Sequence, residues 1–259
     1  MNVLLFDEKD ELAPGRVHVA DRRHRHVREI LRAKVGDALA VGRIDGKLGR
    51  GTIVSLDAQS LELEVTLDLE PPSPLPVTLA LALPRPPSLR KVLQQATALG
   101  VKRFVLFASA RVEKSYWQST GLEAGALREQ LLLGLEQAVD SVLPRIDFAR
   151  RFRPFVEEVL PALARSGPIV VAHPGPAASR TELSTGAAVL VVGPEGGLQD
   201  HELERLEAAG ARRVGLGPRV LRVEAAVGAL LARHGGCHSG ASFGYSPAWI
   251  SWKSSLRSV

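Results

Sequence analysis

The segment from Ala187 to Ala232 constrains the fold of this chain more than any other. The apolar run Val189–Val192 predicts a buried strand. Gly193–Gly197 follows with the sequence GPEGG, whose glycines allow a sharp turn and a close approach of the backbone to a ligand. Asp200 is predicted to cap the next helix, because its side chain can accept a hydrogen bond from the free amides of the first turn. That helix has its apolar positions at Leu203, Leu206 and Ala209, and Gly210 ends it.

A second glycine loop follows the same plan. The strand predicted over Arg213–Leu216 precedes Gly217-Pro218-Arg219, and Leu221–Ala226 leads into a last helix. Two strand–loop–helix units predict one ligand site at the carboxyl edge of a parallel sheet. The loops match no dinucleotide fingerprint, Walker A loop or nucleophile elbow. A tight turn without a ligand is the alternative for one such loop, but two loops beside Arg222 and Glu224 favour a site.

These loops resemble those of a known family. The GPEGG loop and the run Leu216–Ala226, LGPRVLRVEAA, are similar to two motifs of the RsmE family of ribosomal RNA methyltransferases, in the SPOUT class. The resemblance implies an α/β fold whose C-terminal domain is a SPOUT-like, trefoil-knotted parallel sheet. It also implies a homodimer and S-adenosylmethionine (SAM) as methyl donor. The implied reaction is methylation of N3 of a specific uridine in small-subunit (16S) ribosomal RNA, either free or in the assembled 30S subunit.

The resemblance further implies which residues hold SAM. These candidate cofactor-binding residues are His173, Gly193, Pro194, Glu195, Gly196, Gly197, Leu216, Gly217 and Leu221. Within this set, Glu195 is expected to shape the pocket rather than to act as a base.

Uridine N3 must lose its proton, so the reaction needs a base or a proton-accepting water, and a cation to stabilise the anion. Arg222 and Glu224 are the candidate catalytic pair. The alternative for Glu224 is an acid that merely favours the first turn of the last helix. The alternatives for Arg222 are a structural salt bridge and a contact to the SAM carboxylate.

Composition sets looser bounds. A chain of 259 residues can form one large domain or two modest ones. Cys237 is the single cysteine, which excludes intrachain disulfides and Cys-based zinc sites. The acidic N-terminus resembles no signal peptide, and no apolar run is long enough to span a bilayer, so a cytoplasmic protein is expected. A net charge of +5 favours a polyanionic partner.

Much of the positive charge lies in the segment Arg16–Lys34. A helix is predicted here, with Val27, Ile30 and Leu31 buried and the arginines on its exposed faces. This face is a candidate contact for phosphates, and an ordinary solvated face is the alternative. His24 and His26 are two residues apart on the helix, so no metal site is expected. The candidate RNA-binding residues are Arg22, Arg25, Arg28, Lys91 and Arg111, with Arg85 and Arg90 as further candidates.

The first 70 residues predict a small β-rich domain closed like a barrel, and the resemblance implies that this domain is a PUA-like β-barrel that binds RNA. Strands are predicted at Arg16–Val19, Ala38–Val41, Gly51–Leu56 and Leu61–Leu67, with a hairpin turn at Asp45-Gly46. The run His26–Asp37 is similar to the stretch that opens the PUA-like domain of the RsmE family. Residues 71–76 are predicted as a stiff, proline-rich linker.

Residues 77–234 predict the methyltransferase domain. Strands Val77–Leu83, Phe104–Phe107 and Ile169–Ala172 alternate with two helices, which favours a parallel sheet. The first helix is predicted to be capped by Ser88, to end at Gly100 and to bury Leu89, Val92, Leu93, Ala96 and Leu99. The second covers Leu127–Val139. Residues 235–259 form a Gly/Ser-rich tail, expected to be disordered, with a segment that folds over the pocket or a partner subunit as the alternative.

The chain departs from the family pattern at a few positions. Ala98 stands where the family usually has glutamate, Asp140 where it has arginine, and Val223 where it has threonine. These changes leave the SAM loops intact and concern the substrate side. They keep open an alternative function, a non-catalytic or retargeted SPOUT-fold RNA-binding paralogue.

Overall fold

The computed structural model of this chain describes residues 1–174 and 186–234. Contacts divide the described residues into two units. The first unit comprises Met1–Ser73 and Leu135–Leu143, and the second comprises the remainder. Within these residues no helix is long and apolar enough to cross a membrane. The predicted tail, 235–259, lies outside the described residues.

The first unit is built on a six-stranded half-barrel sheet. Its strands are β1 (Leu4–Phe6), β2 (Glu11–Ala13), β3 (Arg16–Val19), β4 (Ala38–Arg43), β5 (Leu48–Leu56) and β6 (Leu61–Leu69). Their order is β1-β4-β5-β6-β3-β2, and all neighbours are antiparallel except β1 and β4. The predicted hairpin is confirmed, since β4 pairs with β5 around Asp45, whose φ is +57°.

The arginine-rich helix differs from the prediction. Helix α1 (Arg22–Arg25) continues as a π-helical turn over His26–Leu31. Val27 is buried, but Ile30 and Leu31 are exposed, so the predicted apolar stripe is wrong at these two positions. The wider π-helical turn breaks the i, i+3, i+4 spacing on which the stripe was predicted.

Arg23 is buried, so the prediction that every arginine of this helix is exposed is also wrong. Its guanidinium donates to both carboxylate oxygens of Asp10, at 2.7 and 2.9 Å, and to the carbonyl of Leu5 at 2.7 Å. Asp21 accepts from its Nε at 2.9 Å. Burial of Asp10 opposes its ionisation, but hydrogen bonds from Arg23 and from the Asp7 amide outweigh burial and lower the pKa of Asp10.

The second unit contains a six-stranded, wholly parallel sheet, which confirms the predicted α/β class. Its strands are β7 (Leu75–Ala82), β8 (Val101–Phe107), β9 (Arg145–Ala149), β10 (Ile169–Ala172), β11 (Ala188–Val192) and β12 (Ala211–Val214). Their order is β12-β10-β11-β7-β8-β9. Every residue of β11 is buried, as expected for a central strand covered on both faces. β7 begins inside the range predicted as linker, and β12 ends two residues before the predicted Leu216.

The helices of this unit flank the sheet. They are α2 (Pro86–Ala98), α3 (Ala124–Ala138), α4 (Phe152–Pro154), α5 (Leu160–Ala164), α6 (Asp200–Ala208) and α7 (Val223–His234). A π-helical turn, Phe155–Val159, joins α4 to α5, and the last turn of α3 belongs to the first unit. β9 and α4–α5 were not predicted from the sequence.

Two predicted helix caps are wrong by one to three positions. Arg85, not Ser88, is the N-cap of α2, because Pro86 and Pro87 fit the first helical turn. Gln199, not Asp200, is the N-cap of α6, where it forms a capping box with Glu202. Leu99 lies beyond the end of α2 and is exposed rather than buried.

Replacing Arg23 tests the importance of its buried ion pair. We expect Arg23→Leu to lower the free energy of unfolding by about 3–5 kcal/mol, because the substitution leaves the buried Asp10 carboxylate without its counter-ion. Denaturant unfolding at pH 7 measures this loss, with the exposed Arg25→Leu as control. Because the pKa of Asp10 is lowered, its stabilising contribution is present at neutral pH and disappears as the pH falls below 3.8. Equal stability of the two variants at pH 7 would contradict this prediction.

Candidate functional site

Three loops of the second unit meet at the carboxyl edge of its sheet. β10 lies between β11 and β12 in the strand order, so the loops that follow these strands are neighbours. The backbone amide of His173, after β10, donates to the carbonyl of Val214 at the end of β12, at 3.1 Å. A cavity of about 470 Å³ lies among these loops, a volume within the usual range for small-molecule sites.

All of the predicted cofactor-binding residues line this cavity, and so do Arg222 and Glu224. Arg219 and Val220, which belong to the loop predicted to hold SAM, also line it, and so do several residues that were not predicted as part of the SAM site: Arg85, Ser88, Ala172, Pro174, Val192, Leu198, Val223 and Ala226. Arg85 and Ser88 could have been found, because they follow β7 and the carboxyl ends of parallel strands share one edge.

Two of the glycines have backbone angles that favour glycine over any other residue. Gly197 has φ +75° and Gly217 has φ +122°. Gly193 is needed for a different reason. A Cβ built on Gly193 would lie 3.1 Å from Cγ and 3.3 Å from the backbone nitrogen of Leu198, so a side chain there would require Leu198 to move by a few tenths of an ångström. The glycines therefore bring the loop backbone close to the cavity.

Glu195 connects the first glycine loop to the start of α2. Its Oε1 accepts from the backbone amide of Arg85 at 3.2 Å and lies 3.6 Å from the Arg85 Nε. The Nε of Arg85 also lies 3.3 Å from the Oγ of Ser88. Glu195 thus forms part of the wall of the cavity.

A buried carboxylate holds the loop after β8 against the first glycine loop. Glu202 accepts from the backbone amide of Ala110 at 2.8 Å and from that of Gln199 at 2.9 Å. Arg111, next along the chain, donates from Nη1 to the carbonyl of Gly196. Arg111 therefore contacts the glycine loop directly. The sequence pattern gave no sign of Glu202, because its partner Ala110 lies 92 residues earlier.

Glu224 lies in the first turn of α7, with one oxygen engaged and one free. Its Oε1 accepts from Lys91 Nζ at 3.4 Å, whereas its buried Oε2 has no hydrogen-bond partner within the described residues. A hydrogen bond from its own backbone amide, with a further contribution from Lys91, lowers the pKa of Glu224. The carboxylate is therefore ionised at neutral pH, which makes it a weak base and an available acceptor.

Arg222 and His173 differ in charge. Arg222 is exposed, and within the described part of the chain its guanidinium has no ion pair or hydrogen bond. Burial, and then the positive charge of Arg213, lower the pKa of His173, so its imidazole is neutral at physiological pH. Among the described residues, the cavity therefore presents two cations without an ion pair, Arg219 and Arg222, and a buried, unpaired carboxylate oxygen on Glu224.

The candidate RNA-binding residues of the first unit are not equally available. Arg22 forms a two-pronged ion pair with the buried Glu136, at 2.7 and 2.9 Å. Arg28 donates to the carbonyl of Ala58 and to Glu29. Arg25 is exposed, and its guanidinium has no partner within residues 1–174 and 186–234. No group of three or more potential metal ligands occurs in this described part.

The departures from the family pattern lie in different places. Val223 is buried and lines the cavity. Ala98 is the last residue of α2 and does not line it. Asp140 is buried in the first unit, where its Oδ1 accepts from the amide of Val142 at 3.0 Å. Of the three positions, only Val223 touches this site.

A family model described as an RNA methyltransferase domain matches residues 71–235. This chain belongs to that family. A relative from Treponema pallidum (strain Nichols), named Ribosomal RNA small subunit methyltransferase E, is 29% identical over 243 residues and aligns over 90% of each chain. The relative of the same name from Bacillus subtilis (strain 168) is 28% identical over 164 residues, which span 55% of this chain and 59% of that protein. The resemblance to the RsmE family is confirmed.

Solved structures share the fold. The Ribosomal RNA small subunit methyltransferase E from Neisseria gonorrhoeae, solved bound to S-adenosyl methionine, has a TM-score of 0.70 at 24% identity. A Legionella pneumophila protein, solved with the bound cofactor SAM, has a TM-score of 0.72 at 23% identity. Each comparison covers 89% of this chain and 95% of the other.

Replacing Glu202 tests how the loops around the cavity are held. In Glu202→Gln, an amide group replaces one of the two oxygens that accept backbone amides, so one buried N–H loses its acceptor. We expect the free energy of unfolding to fall by about 1–3 kcal/mol. Glu204→Gln, at an exposed position of the same helix, is the control and should leave stability unchanged. Equal stability of the two variants, measured by denaturant unfolding, would argue against this role of Glu202.

Proposed function

We propose that this protein is a SAM-dependent methyltransferase that methylates N3 of a uridine in small-subunit ribosomal RNA. The observation that carries the proposal is the convergence of every predicted cofactor-binding residue, with Arg222 and Glu224, on one cavity. The names of the relatives support SAM as methyl donor and ribosomal RNA as substrate. The uridine N3 position comes from the resemblance of the two loop motifs to the RsmE family.

The residues present suit SAM. Gly197 and Gly217 adopt left-handed backbone angles, and the residues of both glycine loops line the cavity. The free Oε2 of Glu224 can accept a hydrogen bond from the amino or hydroxyl groups of SAM. The backbone of residues 193–197 and 216–221 would hold the methyl donor.

When bound, SAM would supply an electrophilic methyl group to an incoming nucleophile, with the neutral thioether S-adenosylhomocysteine as the leaving group. The chain's own contribution is to position donor and acceptor. Arg222 stabilises the negative charge that uracil acquires when N3 loses its proton. Glu224 has an oxygen free in the cavity and, even with its lowered pKa, is a stronger base than water, so we assign it to accept the N3 proton, directly or through a water.

RNA contact, dimerisation and the knot stay predictions. Arg25 is the most available of the three arginines in the first unit, since Arg22 and Arg28 have protein partners.

α7 packs against α2 within the second unit. The exposed Ala225 of α7 provides a small side chain at which a second subunit could approach. The PUA-like assignment and the cytoplasmic location rest on the sequence alone.

A methyl-transfer assay tests the proposed function. Incubation with labelled SAM and undermethylated small ribosomal subunits, or their free RNA, should label one uridine at N3, as read by nuclease digestion and mass spectrometry.

Gly196→Leu should weaken SAM binding by about tenfold or more in calorimetry, because its Cβ would lie 3.1 Å from Arg111 Cδ and the longer side chain would occupy ligand space.

Gly125→Ala is the matched control, because a Cβ at this helical position meets no atom within 4 Å. Unchanged SAM affinity in Gly196→Leu would remove the assigned site. SAM binding without any transfer to RNA would favour the non-catalytic paralogue.

The salt dependence of RNA binding tests the role of Arg25. If Arg25 contacts a phosphate, Arg25→Ala should reduce the slope of log affinity against log salt by about one. SAM affinity should not change in this variant. Arg165→Ala removes the same charge from an exposed position of the second unit and should leave the slope unaltered. Identical slopes for the Arg25 variant and the parent protein would move the RNA contact elsewhere.

A further inference from the structure

A second cavity, of about 280 Å³, lies in the second unit beside the connection between β7 and α2. Alternating residues of this connection line the two cavities. Arg85 and Ser88 line the first, whereas Pro84 and Pro86 line the second. The two cavities share no lining residue within the described chain, so the second is a separate space adjacent to the first.

The second cavity combines a flat aromatic ring, apolar side chains and hydrogen-bonding groups. Tyr116, from the 3₁₀ helix Lys114–Gln118, lines it together with Leu89. Gln130 also lines it, and its Oε1 accepts from Gln94 Nε2 at 2.7 Å. This bond fixes the amide group of Gln130, whose own Nε2 has no partner within the described residues and can donate to a ligand.

Two exposed charged side chains also line the cavity, the cation Arg90 and the carboxylate Glu129. Arg90 is exposed, and its guanidinium forms no ion pair or hydrogen bond in the part of the chain that the structure describes. An aromatic ring, a fixed amide and a free guanidinium are the groups that bind an unstacked nucleotide, through its base face, its base edge and its phosphate.

We infer that the second cavity takes an unpaired nucleobase of the RNA substrate, adjacent in the chain to the base that is methylated. This inference rests on the proposed function. The reacting base must reach the methyl donor in the first cavity, so the base in the second cavity is a flanking one. Tyr116 stacks on this base, Gln130 contacts its edge and Arg90 contacts its phosphate.

Binding of unmodified small-subunit ribosomal RNA transcript, measured by filter binding, tests the inference independently of methyl transfer. Tyr116→Leu keeps apolar volume but removes the ring, and should weaken RNA binding about 5- to 150-fold, the range for one base–aromatic stack. Tyr116→Phe keeps the ring and should restore binding. Calorimetry with SAM should give the parent affinity for each variant, which also shows that the variants fold.

Trp117→Leu is the matched control. Trp117 is the next residue of the same 3₁₀ helix, but it packs against Arg150 and Phe148 and does not line the cavity. The inference is overturned if Tyr116→Leu binds RNA as the parent does, if Trp117→Leu loses as much affinity, or if the parent does not bind the transcript. RNA binding that depends on Tyr116 in a parent without methyl transfer would instead refute the proposed function and leave the second cavity as the site of an unpaired RNA base.

Discussion

The uniform direction of the strands in the second unit is the constraint on which the site depends. Because all six strands are parallel, every strand ends at the same edge of the sheet. The chain first extends the sheet through β7, β8 and β9, and then adds β10, β11 and β12 on the other side of β7. Such a reversal opens a crevice at the carboxyl ends of the strands, where α/β proteins bind ligands. The connection after β7 lies at this reversal, which explains why Arg85 and Ser88 line the cavity although they are distant in sequence from the glycine loops.

Carboxylates hold the loops around this crevice, and each does so differently. Glu202 is buried and accepts two backbone amides, so its charge is compensated by dipoles rather than by a cation. Glu195 is more exposed and joins its own loop to Arg85 through one backbone amide and one ion pair. Glu224 interacts with its own backbone amide and with Lys91 and Ser88, and its buried Oε2 has no hydrogen-bond partner within the described residues. Glu202 and Glu195 bond to other parts of the protein, so Glu224 is the carboxylate that has an oxygen available to a ligand.

The parts of the fold that the sequence predicted well are those governed by local rules. The apolar run before GPEGG correctly predicted β11, and the glycines after two strands correctly predicted the loops. Such predictions succeed because the backbone angles of a glycine loop depend mainly on the glycine itself. Predictions failed where a residue distant in sequence determines the position of a side chain. The helical pattern predicts that Arg23 is exposed to solvent. The side chain is instead buried, because it forms an ion pair with Asp10, thirteen residues earlier. The cap of α2 shifted because two prolines extended the helix towards Arg85. Arg22 likewise forms an ion pair with Glu136, which lies 114 residues later in the sequence, and no periodic pattern indicates such a partner.

These buried pairs change what the basic composition means for RNA binding. A count of arginines in the segment Arg16–Lys34 suggests a strong phosphate-binding face, yet Arg22 and Arg23 already neutralise carboxylates of the protein itself. A guanidinium held between carboxylates adds little to the attraction for phosphate, because the field of its partner cancels its own at a distance of a few ångströms. The charge available to a polyanion therefore comes from side chains without protein partners in the described residues, such as Arg25 in the first unit and Arg90 and Arg222 in the second. Arg90 and Arg222 line the two cavities on either side of the β7–α2 connection, so part of the free charge of the second unit lies where an RNA strand must enter to be methylated.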